Sequence, residues 1–492
     1  MNDDRRVIVI GTGPSGAAAA WTLHRAGIPF TVLEAGDEES FRGLTVRAPG
    51  LTIVRKRREL VPSPNPGATD GECPRWFAEL SAGGLSNHWT CAVPRYAPQD
   101  FEEGERVDEK YRWPVSYDDL TAHYAEMERL LKIAGPGVDS IALPAGEVSH
   151  RWRLASDWQR VVDAGKARGH GVTTLSLAYG AEWTVTPSGT PFNSFVRINQ
   201  LIPPSPANRI VFDAFVTRLE WSDAERKVTR VFYRDRKTGE ERSVAASAVV
   251  VAGGTLHTTR LLLDSRSTAF PEGLGNTEGV LGRYLHDHPL GKIAIELGGS
   301  VTIHPPAYVT RAAYGSIDPL KGVACVFWSG TPARLKSLAR ATPDKGAEVG
   351  FNLFGTMRPR EEDRVEVMSD RRDENGVSQM KLHVRFDDEV RRTLEEARDR
   401  LLEILDAAGL RPRMKLWLVE PPGTAVHFAG SVRMHRSPRY GMLDGWNRLH
   451  AVPNVLVVDP SAFTTGPEKN PTLTAMALAT RACKKLAEDL RS

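Results

Sequence analysis

The sequence predicts a Rossmann-like α/β domain interleaved along the chain with an α+β domain built on an antiparallel sheet. Three observations predict it. The segment "RRVIVIGTGPSGAAAAWTLHRAGIPFTVLEAG" reads as a strand, a Gly-rich turn, a helix and a second strand. Residues 210–251 alternate apolar and polar positions like strands, with "RKTGE" as a hairpin turn. Residues 344–410 read as strands followed by a charged helix over 387–409. The expected division assigns 1–45, 74–115, 208–292 and 431–492 to the first domain and 116–207 and 293–430 to the second. The Pro- and Gly-rich stretch within 46–73 is expected to form a loop or lid.

Each element has its own reason. In the opening unit Gly11 permits a tight turn, Gly13 lets backbone approach a pyrophosphate, and Gly16 lets the helix pack closely on the strand. Pro14 and Ser15 open a helix whose N–H groups and dipole face the phosphates. Glu34 closes the second strand, 18 residues after Gly16. Its carboxylate suits ribose hydroxyls and repels a 2′-phosphate, so a dinucleotide other than NADP is expected. The turn alone does not separate NAD from FAD. "SYDDLTAHYAEMERLLKIAG" has helical periodicity and is expected to end at Gly135. "LIPPSPANR" reads as a boundary. Near the end, "EKNPTLTAMALATRACKKL" opens a helix, with Asn470 at its N-cap and Pro471 in its first turn. That helix N-terminus calls for a negative partner.

Composition narrows the partners. The chain has 492 residues, 41% hydrophobic and 25% charged, as in soluble globular proteins. Its 64 basic and 61 acidic residues leave a net charge of +3, so nucleic acid is not an expected partner. Cys73, Cys91, Cys325 and Cys483 form no Cys-x-x-Cys pair, which argues against a disulfide framework and a zinc knuckle, and no Cys-x-x-x-x-Cys follows the nucleotide turn, which argues against a flavin disulfide reductase. No apolar run reaches about 18 residues, so no membrane span is expected. The N-terminus shows no signal-peptide apolar region, and a cytoplasmic address is the expectation. His286 and His288 flank Asp287, and alternation in a strand would put both on one face; with no third ligand nearby, no metal is expected. Tyr233 and Lys237 have the spacing of a dehydrogenase pair but straddle a hairpin end and are set aside.

Six segments then occur in order: the N-terminal turn, "SAGGLSNHWTCAVPR", "VVVAGGTLHTTRLLL", "LGRYLHDHP", "AVHFAGSVRM" and "NVLVVDPSAFTTGPEKNPTLTAMALA". Together they resemble the glucose-methanol-choline (GMC) family of FAD-dependent oxidoreductases, in particular its pyranose-oxidase-like branch. The matches concentrate in the expected FAD domain, and 136–207 and 293–420 carry little of them. The resemblance implies a two-domain architecture like that of p-hydroxybenzoate hydroxylase. It implies FAD as cofactor, a small hydroxylated substrate, and O2 or another electron acceptor.

It also implies residue roles. His427 and Asn470 match the family's catalytic pair. A neutral imidazole can take a hydroxyl proton at neutral pH, and a carboxamide can hold the same hydroxyl. The helix after Asn470, through Pro471 and Thr472, would face the negative charge of reduced flavin. Gly84, Ser86, Asn87, His88 and Thr90 match a loop along the flavin, with His88 at a position that carries a covalent flavin bond in pyranose oxidases. Asn87 stands where those oxidases commonly have Thr, which leaves attachment through His88 open. Val216, Ala252, Gly253 and Asp459 complete the implied cofactor wall. Val432 and Thr259 depart from the branch, replacing a histidine and a proline. The expected reaction is oxidation of a sugar-like or glycoside hydroxyl to a carbonyl. A dehydrogenase with a quinone or protein acceptor, and a non-redox lyase, are the alternatives. The substrate, the hydroxyl attacked and the oligomeric state are not readable.

Overall fold

The computed structural model describes residues 6–37, 45–48, 51–54, 61–62, 76–87, 89, 91–137, 139–140, 143–151, 154, 156–178, 201–203, 205–298, 307–310, 323–328 and 347–492. Residues 49–50, 55–60 and 63–73 of the expected loop or lid, His88 and Thr90 lie outside them.

The first strand, Val7–Ile10, is apolar at every position and buried at every position. Such a run suits a parallel strand covered on both faces. It sits in a six-stranded sheet ordered Asn208–Val211, Phe30–Leu33, Val7–Ile10, Ala248–Val251, Val452–Val457, Arg448–Leu449. All neighbours are parallel except the last pair. The chain crosses the centre of this sheet, leaves it after Leu33, and returns at Asn208, about 175 residues later. Gly11, Glu34, Ala252 and Asp459 therefore arrive at the same, carboxyl-terminal, edge, where open α/β sheets bind ligands.

The helix Pro14–Arg25 presents Ala17 to Ala20, all buried, to the interior. Small side chains let it lie closely against the C-terminal helix Thr472–Asp489, whose buried face is rich in alanine. Gly11 has φ +91°, and a Cβ there would sit 2.6 Å from the Ala252 carbonyl oxygen. A Cβ at Gly16 would sit 2.2 Å from the Gly11 carbonyl oxygen and 3.4 Å from the Ala252 Cβ. The tightest constraint at Gly16 is thus the turn itself, ahead of helix-on-strand packing.

A second six-stranded sheet is antiparallel throughout, ordered Arg413–Glu420, Leu290–Leu297, Ala347–Gly355, Val323–Trp328, Ala307–Thr310, Gly171–Thr174. Its Ile293, Ile295, Phe351 and Leu353 share a core with Leu394, Leu401 and Ile404 of the helix Asp388–Ala407. Alternation turns Asn352 and Phe354 to the opposite face. The 210–251 region folds as read: Ala214–Ser222, Lys227–Asp235 and Glu241–Ala245 form an antiparallel three-stranded sheet.

Several boundaries differ from the sequence reading. The helix expected to reach Gly135 is Tyr117–Leu131, opened by a Ser116–Asp119 capping box and ended by Lys132 at φ +47°. Lys132 adopts the left-handed cap that glycine usually supplies, and Ala134–Gly135 pair as a short strand instead. The C-terminal helix starts at Thr472 with Pro471 as N-cap and no side-chain cap bond, so Asn470 stands before the cap. Lys237 is exposed and paired to Asp213 at 2.9 Å, with no part in the cavity described below.

Candidate active site

The carboxyl edge of the parallel sheet opens into a cavity of about 440 Å³ that continues to the inner face of the antiparallel sheet. At one end it is lined by Gly11, Gly13, Pro14, Ser15, Glu34, Val216, Ala252, Gly253 and Asp459. At the other end it is lined by Asn352, Phe354, Val426, His427, Asn470, Pro471 and Thr472. Gly84 and Ser86 lie on the wall between them with Trp89.

The dinucleotide end is built around Thr12. Its hydroxyl donates to the Glu34 carboxylate and accepts from the Gly83 N–H at 2.9 Å. One side chain thus ties the Gly-rich turn to the second strand and to the 81–87 loop. The Gly36 N–H donates to the other Glu34 oxygen at 2.7 Å. Burial pushes the Glu34 carboxyl up despite these bonds. The helix Pro14–Arg25 has no side-chain cap on its first N–H groups, and a Cβ at Gly13 would meet nothing within 4 Å. These are the features a pyrophosphate needs: unpaired donors and open space above the turn. The uncapped N-terminus of the C-terminal helix lines the same cavity at its far end. A ligand anionic at both places, as FAD is when reduced, fits the two helix ends.

Two predicted wall residues act elsewhere. Asn87 does not reach the cavity; its amide donates to Ser81 Oγ at 2.9 Å, Ala82 O at 3.1 Å and Gly84 O at 3.0 Å, closing its own turn. Gly16 is enclosed beneath the turn rather than on the cavity wall. Asp459 does line the cavity, but its carboxylate accepts from Gly254 N–H and Ser461 N–H, both at 3.0 Å, and from Thr258, so it braces the next turn. Thr259 bonds Thr255 O and Ser431 Oγ, both at 2.6 Å, which gives its hydroxyl a place within the helix.

At the far end His427 Nε2 and Asn470 Nδ2 are 3.1 Å apart. Asn470 was expected to cap the following helix; its carboxamide instead turns to His427, because Pro471 holds the cap position. The loop carrying Asn470 is pinned from below. Lys469, 0% exposed, places its ammonium 3.0 Å from both Asp100 and Glu468, and Trp113 donates to Thr465 at 2.7 Å. Burial pushes Asp100 up to about 6, with Lys469 acting against it.

His427 is held through its backbone. Asp287, 1% exposed, accepts from the N–H groups of His427 at 2.9 Å and Gly423 at 3.0 Å. Ala425 and His288 complete four backbone donors to this carboxylate. Desolvation still prevails and pushes Asp287 up to about 7. Val426, just before His427, has φ +60°, a strained conformation for a β-branched residue that costs about 1–3 kcal/mol. Such strain persists where the surroundings fix a functional geometry.

The "LHDHP" segment is not a strand, since His286 makes only an isolated bridge to Ala429, yet both histidine rings lie beside Gly466. His286 Nδ1 faces Tyr284 O at 3.0 Å, while His288 Nδ1 lies 2.9 Å from His427 Nδ1. The edge of His427 facing the cavity is open, but protein encloses the rest of the ring, and burial pulls its imidazole down to about 4. It is neutral at neutral pH, as a proton acceptor must be. The roles of Thr12, Asp287, Asn352, Phe354 and Lys469 escaped the sequence reading, although Thr12, Asp287 and Lys469 stand inside the quoted segments.

Residues 359–479 match the family profile of GMC oxidoreductases, and residues 9–63 that of the NAD(P)-binding Rossmann-like domain. The chain is 25% identical to 2-methyl-1,2-propanediol dehydrogenase of Mycolicibacterium austroafricanum, over 98% of this chain and 94% of that one. It is 28% identical to paromamine 6′-oxidase of Streptomyces fradiae, over 100% of this chain and 93% of that one. In fold it is similar to the crystal structure of pyridoxine 4-oxidase from Mesorbium loti, with a TM-score of 0.65 at 18% identity over 98% of each chain. Among the described residues no helix is long and apolar enough to cross a membrane. A dinucleotide turn, a cavity with two uncapped helix ends, and these matches together support the GMC family of FAD-dependent oxidoreductases, enzymes that act on CH–OH groups.

Proposed function

We propose that this enzyme, of the pyranose-oxidase-like branch, oxidises a hydroxyl of a sugar-like or glycoside substrate to a carbonyl. The observation that carries the reading is the 3.1 Å approach of His427 Nε2 to Asn470 Nδ2 on the wall of the cavity that also receives the dinucleotide. His427 Nε2 takes the hydroxyl proton. Asn470 donates to the same oxygen and holds the carbon in line for transfer. FAD, for which Gly11, Gly13, Glu34 and Thr472 line the space, would supply the two-electron acceptor for the hydride leaving that carbon, with O2 as the proposed terminal acceptor giving H2O2. Phe354 and Asn352 offer the substrate an apolar face and a carboxamide, a pairing that suits a polyol ring. The similarity to paromamine 6′-oxidase favours an aminoglycoside intermediate whose primary 6′-hydroxyl becomes an aldehyde.

The test is anaerobic bleaching of the flavin by a panel of sugars, glycosides and aminocyclitol compounds. No bleaching by any of them refutes the substrate class. The similarity to a propanediol dehydrogenase favours a second reading, with a quinone or protein acceptor in place of O2. Peroxide formed in air at the rate of substrate loss excludes it. Acid precipitation addresses His88: flavin left in the supernatant excludes a covalent bond.

A further inference from the structure

We infer that His288 is a positioning residue that locks His427 in the tautomer a base requires; this rests on the reading of His427 as the base. The two rings meet Nδ1 to Nδ1 at 2.9 Å, so one proton lies between them and one ring supplies the lone pair. The neighbour on the far side of His288 decides which. The backbone carbonyl of Pro467, which can only accept, bonds the His288 ring, whose Nδ1 is already met by His427 and whose Nε2 lies toward the Gly466–Pro467 chain. His288 Nε2 therefore carries hydrogen. His288 is 3% exposed, and burial together with the neighbouring His427 holds it neutral. A neutral imidazole has one N–H, so His288 Nδ1 is the acceptor. His427 Nδ1 then carries the shared proton, and its lone pair falls on Nε2, beside the Asn470 amide.

The opposite arrangement would set the lone pair of His288 Nε2 against the Pro467 carbonyl and put hydrogen on His427 Nε2. The site would lose its proton acceptor. Packing holds the relay in register. The two rings cross at 74°, and Phe354 lies 6.0 Å from one centroid and 5.1 Å from the other. The chain carrying Pro467 can come this close only because Gly466 has no side chain; a Cβ there would be 2.9 Å from His286 Cδ2. When Nε2 takes the substrate proton, Nδ1–H stays in place and the developing imidazolium keeps a neutral acceptor at its back. The role is the one a carboxylate or carbonyl plays behind other catalytic histidines.

The test uses the FAD-loaded protein labelled with 15N-histidine, with the His427 signals assigned through His427→Gln. Two-bond proton–nitrogen spectra are expected to show Nδ1 protonated and Nε2 bare. Hydrogen on His427 Nε2 in the unmodified protein overturns the inference without any folding question. In anaerobic stopped-flow, His288→Leu should slow flavin reduction by about tenfold or more with substrate Kd changed by less than about twofold. His288→Asn, which returns an oxygen acceptor near the Nδ1 position, should restore most of the rate. Equal losses in both variants overturn the relay. Undiminished flavin reduction in His427→Gln removes the base reading instead, and the tautomer measurement shows which of the two has failed.

Discussion

Acidifying the anaerobic reaction separates a buried base from an exposed one. The His427 imidazole is pulled from an ordinary 6.5 down to about 4, and burial is the cause. At about 1.4 kcal/mol per pKa unit, that is about 3 kcal/mol against the charged form, an upper figure because one ring edge meets the cavity. A base works only while unprotonated, so the rate must fall as pH drops through the base's pKa. At about pH 5.5 an ordinary histidine would be roughly one-tenth neutral, whereas His427 would be almost wholly neutral. Flavin reduction by saturating substrate should therefore change little between about pH 8 and about pH 5.5, and halve only near pH 4. Stopped-flow bleaching at constant ionic strength measures this directly. His427→Gln serves as control and should be slow and flat across the range. A rate that halves near pH 6.5 would refute the claim that burial sets this base.

Other outcomes follow from particular contacts. Asn470→Ala should lower the flavin reduction rate by about tenfold while substrate Kd moves little, because its bond matters most as the hydroxyl loses its proton; an unchanged rate with weakened binding contradicts this. Gly16→Ala puts a Cβ 2.2 Å from a backbone oxygen that no side-chain motion can relieve, so the purified variant should lack flavin and fail to regain it from added FAD. Arg260→Met strands Asp373, whose ion pair at 3.0 Å has both side chains at most 3% exposed. That should cost about 3–5 kcal/mol, read as a lowered thermal midpoint, and a midpoint within about 1 °C of the parent's would sink it.

What could be read ahead of the structure was local. The Gly11–Gly16 turn and Glu34 are one supersecondary unit, so their spacing encodes their geometry. The pairing of His427 with Asn470 was accessible only through resemblance, since 43 residues separate them and neither is unusual in its own neighbourhood. Asn470 was misassigned by the same local logic that served at Gly11. Asn before Pro is a good helix start, but a proline already in the cap position leaves the asparagine free to turn inward. The "LHDHP" histidines were read with strand alternation where the backbone makes a single bridge. Nothing in the sequence marks Lys469 and Asp100 as partners, because sequence shows charge but not enclosure; 369 residues apart, they meet in the interior.

The order of strands bears on how this molecule is made. Val7–Ile10 finds its neighbour at Ala248–Val251, and the helix Pro14–Arg25 rests on Thr472–Asp489. The earlier-made helix thus waits for one made more than four hundred residues later, with its apolar flank bare in the meantime. A polypeptide interrupted before Thr472 has no surface on which that flank can close. Such fragments should aggregate or be degraded, and assembly in the cell should depend on chaperones that shield the nascent N-terminal third.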